Sequence, residues 1–234
     1  DGLVDLYVAS YVELDVQIAK RRGDPACSYK GVPIFCGPGG LAPARHHVYR
    51  NLGGGKFEDA TTAWGVSEAP PAYGLGTLVA DVNRDGFPDV IVANDTQRNY
   101  CFLNERGRRF QEAGVYLGLA YNDFGVAQAG MGLASGNARS LGRDDIFVTN
   151  FEDDTNTLYL ADGDGSYTEG THPAGLGADS YPCLGWGTFF FDAENDGDLD
   201  LFVANGHVAP QADSMRSSPG YRQRNHLYLN DGAG

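Results

Sequence analysis

Basic residues are scarce: 17 Lys and Arg stand against 31 Asp and Glu, for a formal net charge of −14 and a pI of ≈ 4.5. So acidic a chain is a poor ligand for nucleic acid or for an anionic membrane surface. No apolar run approaches the ~20 residues of a membrane span, and no membrane insertion is expected. Cysteine is sparse too, with 4 in 234 residues, too few for a disulfide scaffold. Neither C-x-x-C nor C-x-x-C-H occurs, which excludes zinc ribbons and c-type haem attachment. The catalytic signatures G-x-S-x-G and H-E-x-x-H and the phosphate-binding glycine loop are also missing.

Glycine, by contrast, is abundant at 33 residues, and aromatic residues make up 12%. That mixture suits many short strands joined by tight turns. The segments GLGTLVADVNRDGFPDVIVAND (74–95), GMGLASGNARSLGRDDIFVTNF (130–151) and GWGTFFFDAENDGDLDLFVANG (185–206) align without a gap. Each opens Gly-x-Gly and continues with an oxygen-bearing residue (Asp81, Asn137, Asp192), a later Asp (Asp89, Asp145, Asp200) and an Asn (Asn94, Asn150, Asn205). A second element recurs between them: HHVYRNLGGGKF (46–57), NYCFLNERGRRF (99–110), NTLYLADGDGSY (156–167) and NHLYLNDGAG (225–234). The unit is therefore strand, acidic loop, strand, connection, strand, Gly turn, strand. Four such strands form one antiparallel sheet, which must stack on its neighbours to bury both faces.

This predicts an all-β fold, a β-propeller built of four-stranded antiparallel blades, over 1–234 as one segment. The units are about 1–73, 74–129, 130–184 and 185–234, with insertions at 11–45 and 206–224. The opening DGLVDLYVAS fits the repeat from its middle, so the chain reads as a piece of a longer polypeptide and part of a larger, for example seven-bladed, propeller. Any targeting segment would lie upstream. Both insertions follow the strand after the acidic loop and should emerge on one rim, serving either recognition or packing. The basic run Lys20, Arg21 and Arg22 reads as a solvated face or a contact for an acidic neighbour. Cys27 and Cys36 flank SYKGVPIF and are expected to form a local disulfide, while Cys101 and Cys183 read as buried thiols.

The loop pattern D-x-[DNE]-x-D-G-x-x-D carries the chemistry. Ca²⁺ takes six to eight oxygens from carboxylates, amides and backbone carbonyls, whereas Mg²⁺ asks for a stiffer octahedron. Side chains at positions 1, 3 and 5 wrap one point, Gly at 6 turns the chain, 7 offers its carbonyl and 9 closes the set. The expected Ca²⁺ ligands are Asp81, Asn83, Asp85, the carbonyl of Phe87 and Asp89 in one loop. In another they are Asp192, Glu194, Asp196, the carbonyl of Asp198 and Asp200. Asp1, the carbonyl of Leu3 and Asp5 form a partial site. The loop NARSLGRDD puts Arg139 and Leu141 where oxygens are needed, so no Ca²⁺ is expected at 137–145, and Arg139 is expected to pair with Asp145. An EF-hand is excluded because position 12 is Val92 or Val203, inside a strand.

These residues resemble the FG-GAP/VCBS repeats of integrin α-type propellers. GWGTFFFDAENDGDLDLFVANGHV, RNLGGGKFEDATTAWGV and CSYKGVPIFCGPGGL are more narrowly similar to the ASPIC/UnbV, cartilage-acidic-protein-like group. The resemblance implies a calcium-bearing propeller in an extracellular, cell-surface or periplasmic protein. Three functions follow as expectations. The first is a non-enzymatic calcium-stabilised binding, adhesion or assembly module whose insertion loops meet another protein or a surface glycan. The second is a propeller-based polysaccharide lyase or hydrolase, and the third a self-assembling subunit of a surface filament or large complex. Of His46, His47, His172, His207 and His226, His46 and His226 occupy or adjoin a repeated strand slot and read as structural. His207, opening the second insertion, is the one candidate for chemistry. Asn94 begins an N-D-T glycosylation acceptor but fills the repeated Asn slot, which points to a structural role.

Overall fold

The computed structural model describes residues 2–19, 27–34 and 36–232. Asp1 and the Lys20–Arg22 run, both singled out from sequence, lie outside the described residues. β1 (Leu6–Val8) leads into the first insertion, which carries β2 (Val12–Glu13), β3 (Ser28–Tyr29), β4 (Val32–Pro33) and β5 (Ala42–Pro43). β6 (His47–Gly53) and β7 (Lys56–Asp59) complete a first sheet in the order β1-β6-β7. The second sheet runs β8 (Gly74–Ala80), β9 (Asp89–Asn94), β10 (Tyr100–Asn104), β11 (Phe110–Glu112), and α1 (Gly114–Leu117) follows it. The third repeats that plan with β12 (Gly130–Gly136), β13 (Asp145–Asn150), β14 (Thr157–Ala161) and β15 (Tyr167–Glu169), followed by α2 (Gly177–Ser180). β16 (Gly185–Phe191), β17 (Asp200–Asn205) and β18 (His226–Tyr228) form the last sheet. All pairings are antiparallel, and within the second, third and fourth sheets they join chain neighbours, the plan of propeller blades, while in the first β1 pairs β6 across the insertion.

The continuous apolar runs of β9 and β13 have a simple cause. Successive residues of a strand point to opposite faces, and here both faces are covered. Val90 and Val92 pack with Val48 and Phe102 toward the first blade, while Ile91 and Ala93 join Ile146, Val148 and Tyr159 toward the third. On β13, Phe147 turns the other way, onto Leu158, Leu201 and Val203. Each such side chain contributes about 1.5–3 kcal/mol of burial.

The inner strands β8, β12 and β16 lie side by side, close enough that backbone meets backbone. A Cβ on Gly76 would collide with the carbonyl oxygen of Met131, and one on Gly132 with that of Trp186. The second glycine of the Gly-x-Gly signature is thus a spacer between blades. Gly187, at the same place in the last sheet, has nothing within 4 Å of that position.

The recurring Asn has a structural cause as well. The amide N–H of Asn94 donates to Asn99 Oδ1 (3.2 Å) while its side chain donates to the Arg98 carbonyl (2.8 Å). Asn150 repeats the arrangement with Asn156 and Thr155, and Asn205 with Asn225 and Arg224. In the first blade Ser10 and His46 fill these two slots, and the Ser10 N–H donates to His46 Nδ1 (3.1 Å).

Because strands alternate in direction, the acidic loops share one rim with the Gly turns, and both insertions leave from the other. There the insertions pack on each other. Tyr29, Val32 and Ile34, within the loop closed by the Cys27–Cys36 disulfide, meet Ala209, Ala212 and Met215. Lys30 pairs with the buried Glu152 of the third blade and with Asp153 (3.0 Å), and Ser218 Oγ donates to Glu152 Oε2 (3.1 Å). An extension of the first blade is so fastened across the array to the third and fourth. Cys101 and Cys183 are unpaired and buried.

Candidate metal-binding loops

The three acidic loops adopt one backbone shape whatever their side chains. Position 4 is left-handed in each (Arg84 φ 60°, Ser140 φ 52°, Asn195 φ 66°), and so is the glycine at position 6 (Gly86 φ 87°, Gly142 φ 72°, Gly197 φ 99°). The position-1 side chain builds that shape by accepting backbone N–H bonds from the far side of the turn. Asp81 Oδ1 takes the amide of Asp85 (3.1 Å) and Oδ2 that of Gly86 (2.9 Å). Asp192 takes the amides of Asn195 (2.6 Å), Asp196 (3.1 Å) and Gly197 (2.9 Å). Asn137 keeps the Gly142 contact (3.0 Å).

Asn83 Oδ1 also reaches the Asp85 amide (3.1 Å), so the oxygens of positions 1 and 3 lie on one inner side of the turn. Asp85 Oδ1 and Asp196 Oδ1 each accept the amide at position 7, from Phe87 and Asp198 (3.0 Å in both). Asp81, Asp85, Glu194 and Asp196 are solvent-exposed, while Asp192, Phe87 and Asp198 are half-buried. Among the described residues no three His, Cys, Asp or Glu side chains gather at metal-holding distances. What the two loops present is an all-oxygen donor set of carboxylates, one amide and carbonyls, which fits Ca²⁺ in kind. When bound, the ion would neutralise these carboxylates and fix the loop.

The ninth position has a role that sequence reasoning missed. Asp89, fully buried, accepts the Val82 amide at Oδ2 (3.0 Å) and the Asn104 amide at Oδ1 (2.7 Å). Asp200 does the same with Ala193 (2.7 Å) and Asn230 (2.9 Å), and Asp5 accepts the Asn51 amide (2.8 Å). The carboxylate therefore ties the loop to the third strand of its own blade. Burial pushes the Asp89 carboxyl up to about 6, opposed by those two amides and reinforced by Asp85 and Asp81. The only sequence signal for this tie was the Asp recurring in every unit, because its partners are backbone groups.

In the third blade the charge is answered from within. Arg139 donates to Asp145 through Nε (3.1 Å) and Nη2 (2.7 Å), and Nη2 also reaches the Ala161 carbonyl (2.8 Å). Asp145 is fully buried and still accepts the Ala161 amide (2.8 Å), the same strand tie as in the other blades. The ion pair expected from the sequence forms.

A family model described as an FG-GAP-like repeat matches residues 34–92 and 142–203, just over half of the chain. The chain belongs to the FG-GAP-like repeat family. Human cartilage acidic protein 1 is 33% identical to it over 95 residues, which cover 38% of this chain and 13% of that protein. The solved structure of an Agrocybe aegerita lectin, described as recognising non-reducing terminal N-acetylglucosamine, matches 81% of this chain and 48% of its own. Its identity is 17% and its TM-score 0.38, too slight a likeness to carry an argument.

Three of the five histidines, His46, His207 and His226, are built into the scaffold of this FG-GAP-like chain. His207 is buried; its Nδ1 accepts the Ala209 amide (2.9 Å), and its Nε2 faces Glu152 Oε2 at 3.5 Å. Tyr29 stacks on its ring at 6.1 Å. It fastens the insertions together. His226 Nδ1 meets the Tyr228 hydroxyl (2.9 Å), and His46 closes the first blade's turn. Among the described residues no helix is long and apolar enough to cross a membrane.

Proposed function

We propose that this chain is a non-enzymatic, extracellular or periplasmic FG-GAP-like module in which Ca²⁺ orders the 81–89 and 192–200 loops and the propeller scaffold presents binding surfaces. One observation carries the reading: the carboxylates of the 81–89 and 192–200 loops are held in a shared backbone shape with no side-chain cation paired to them among the described residues, whereas the 137–145 loop of the same shape pairs Arg139 with Asp145. Like charges so placed repel, and a bound cation removes that cost. The half site at Leu3 and Asp5 follows the same logic. The Cys27–Cys36 disulfide supports a compartment outside the reducing cytoplasm.

Extracellular calcium modules bind with Kd on the order of 10⁻⁴–10⁻³ M, so each ion at millimolar concentration adds about 0.5–1.5 kcal/mol. That orders a loop and supplies no chemistry. A thermal melt with Ca²⁺ against excess chelator tests it, with Asp85→Ala and Asp196→Ala beside the parent. The expected result is a lower Tm on chelation and a smaller shift in each variant. A Tm indifferent to Ca²⁺ would reduce the loops to turns.

A further inference from the structure

On the acidic-loop rim, between the second and third blades, lies a polar hollow of ≈ 340 Å³. Its walls are the start of the 81–89 loop, residues 143–144 and the turn from Ala161 to Tyr167. Two of its lining groups are guanidiniums, Arg84 exposed and Arg143 half-buried. Among the described residues neither Arg84 nor Arg143 makes an ion pair or hydrogen bond, and Arg143 Nε is shut off from solvent without a partner. Gly163 allows this close seating, since a Cβ there would stand 3.1 Å from Arg143 Nη1.

Three of the four carboxylates that line the hollow are engaged with their own turns, and the fourth, Asp144, is exposed and pairs with neither guanidinium among the described residues. Asp81 holds the amides of Asp85 and Gly86, Asp162 accepts from the Thr168 hydroxyl (2.8 Å), and Asp164 accepts from Ser166 Oγ (2.7 Å). They leave the guanidiniums unanswered, and as carboxylates they can each accept further hydrogen bonds. A buried guanidinium nitrogen without a partner is costly, and a bidentate carboxylate is its best complement. The neighbouring Asp oxygens are acceptors and ask for hydroxyl donors. A ligand bearing one carboxylate and several hydroxyls meets both demands, and the volume is that of a small-molecule site.

We propose that this hollow binds an acidic sugar, a uronic acid or the end of a uronate-containing glycan, with its carboxylate on Arg143 and Arg84 and its hydroxyls on the surrounding aspartates. This gives the binding module suggested above a ligand class and does not depend on the loops holding Ca²⁺.

The test is calorimetric titration of the full chain with digalacturonate and with its methyl ester, which keeps the hydroxyls and loses the charge. The expected result is binding of the acid and a loss of about tenfold or more for the ester. Arg143→Gln should lose a similar factor and Arg143→Lys less. Arg84→Gln, at an exposed position, supplies a second reading should Arg143→Gln fail to fold. No heat with the acid, equal affinity for the ester, or unchanged affinity in folded Arg143→Gln or Arg84→Gln would overturn the proposal. An Asp/Glu-rich peptide competing as tightly as the sugar would overturn it too, since the hydroxyls would then count for nothing. Repeating the titration with chelator separates the two readings: sugar binding without any calcium-dependent melt leaves this site standing while the metal reading falls.

Discussion

In the third blade the Arg139 guanidinium lies on the buried Asp145, whereas the second and fourth blades put Asn83 and Glu194 at that position, and Asp89 and Asp200 face backbone amides. The backbone of all three loops is nevertheless the same, down to the left-handed residue at position 4. Shape and charge balance are therefore separable. The position-1 side chain and the position-6 glycine make the turn, and the cation is a separate requirement that one loop meets with its own Arg139 side chain and the others, as proposed above, with an ion from solution.

The largest effect should come from breaking the built-in ion pair. Arg139→Ala leaves a fully buried Asp145 unpaired, a change that costs about 3–5 kcal/mol. Urea unfolding should show this, and Ca²⁺ should not restore it, because Arg139 and Leu141 leave positions 3 and 5 without oxygens. A loss under about 1 kcal/mol would mean that the pair lies at the surface in energetic terms.

A control outside the comparison lies in the first blade, where His46 must stay neutral to accept the Ser10 amide. Burial lowers its pKa from 6.5 to about 4, with the Asn94 side chain opposing and His47 adding to the drop. A folded-state pKa below the unfolded one gives stability that is fully present above pH 6.5 and is lost as pH falls toward 4. The size is at most about 3 kcal/mol. His46→Gln should flatten that acid limb in pH-dependent unfolding, with or without Ca²⁺, and an unchanged limb would assign it to other groups.

Smaller effects sharpen the contrast between loops. Chelation should cost about 0.5–1.5 kcal/mol per complete site, and Asp85→Ala or Asp196→Ala should each remove one site's share. Arg139→Asp combined with Leu141→Asp should make the third loop calcium-dependent by a similar amount, read as an added melting shift. Without that gain, the side chains at positions 3 and 5 would not be what separates the loops.

Much of this was legible in the sequence because the repeat is carried by side chains. Gly-x-Gly, the Asp and Asn spacings and the Gly turns fix the blade plan, and Arg139 announces its pairing by standing where an oxygen belongs. What stayed hidden depends on partners that sequence does not label. Asp89 and Asp200 are tied to backbone amides, and the second glycine of Gly-x-Gly answers to a carbonyl in the next blade. Glu152, one acid of the FEDD run at 151–154, carries no sequence signal of its role, yet it is the buried anchor of both insertions. His207, the sequence's one candidate for chemistry, sits buried in that same anchor.

Counting bound Ca²⁺ by equilibrium dialysis, in the parent chain and in Asp85→Ala, Asp196→Ala and the double variant, tests the central claim most directly. The account predicts one ion fewer in each single variant and two fewer in the double, with Arg139→Ala matching the parent. An ion count that is the same in all of them would contradict it.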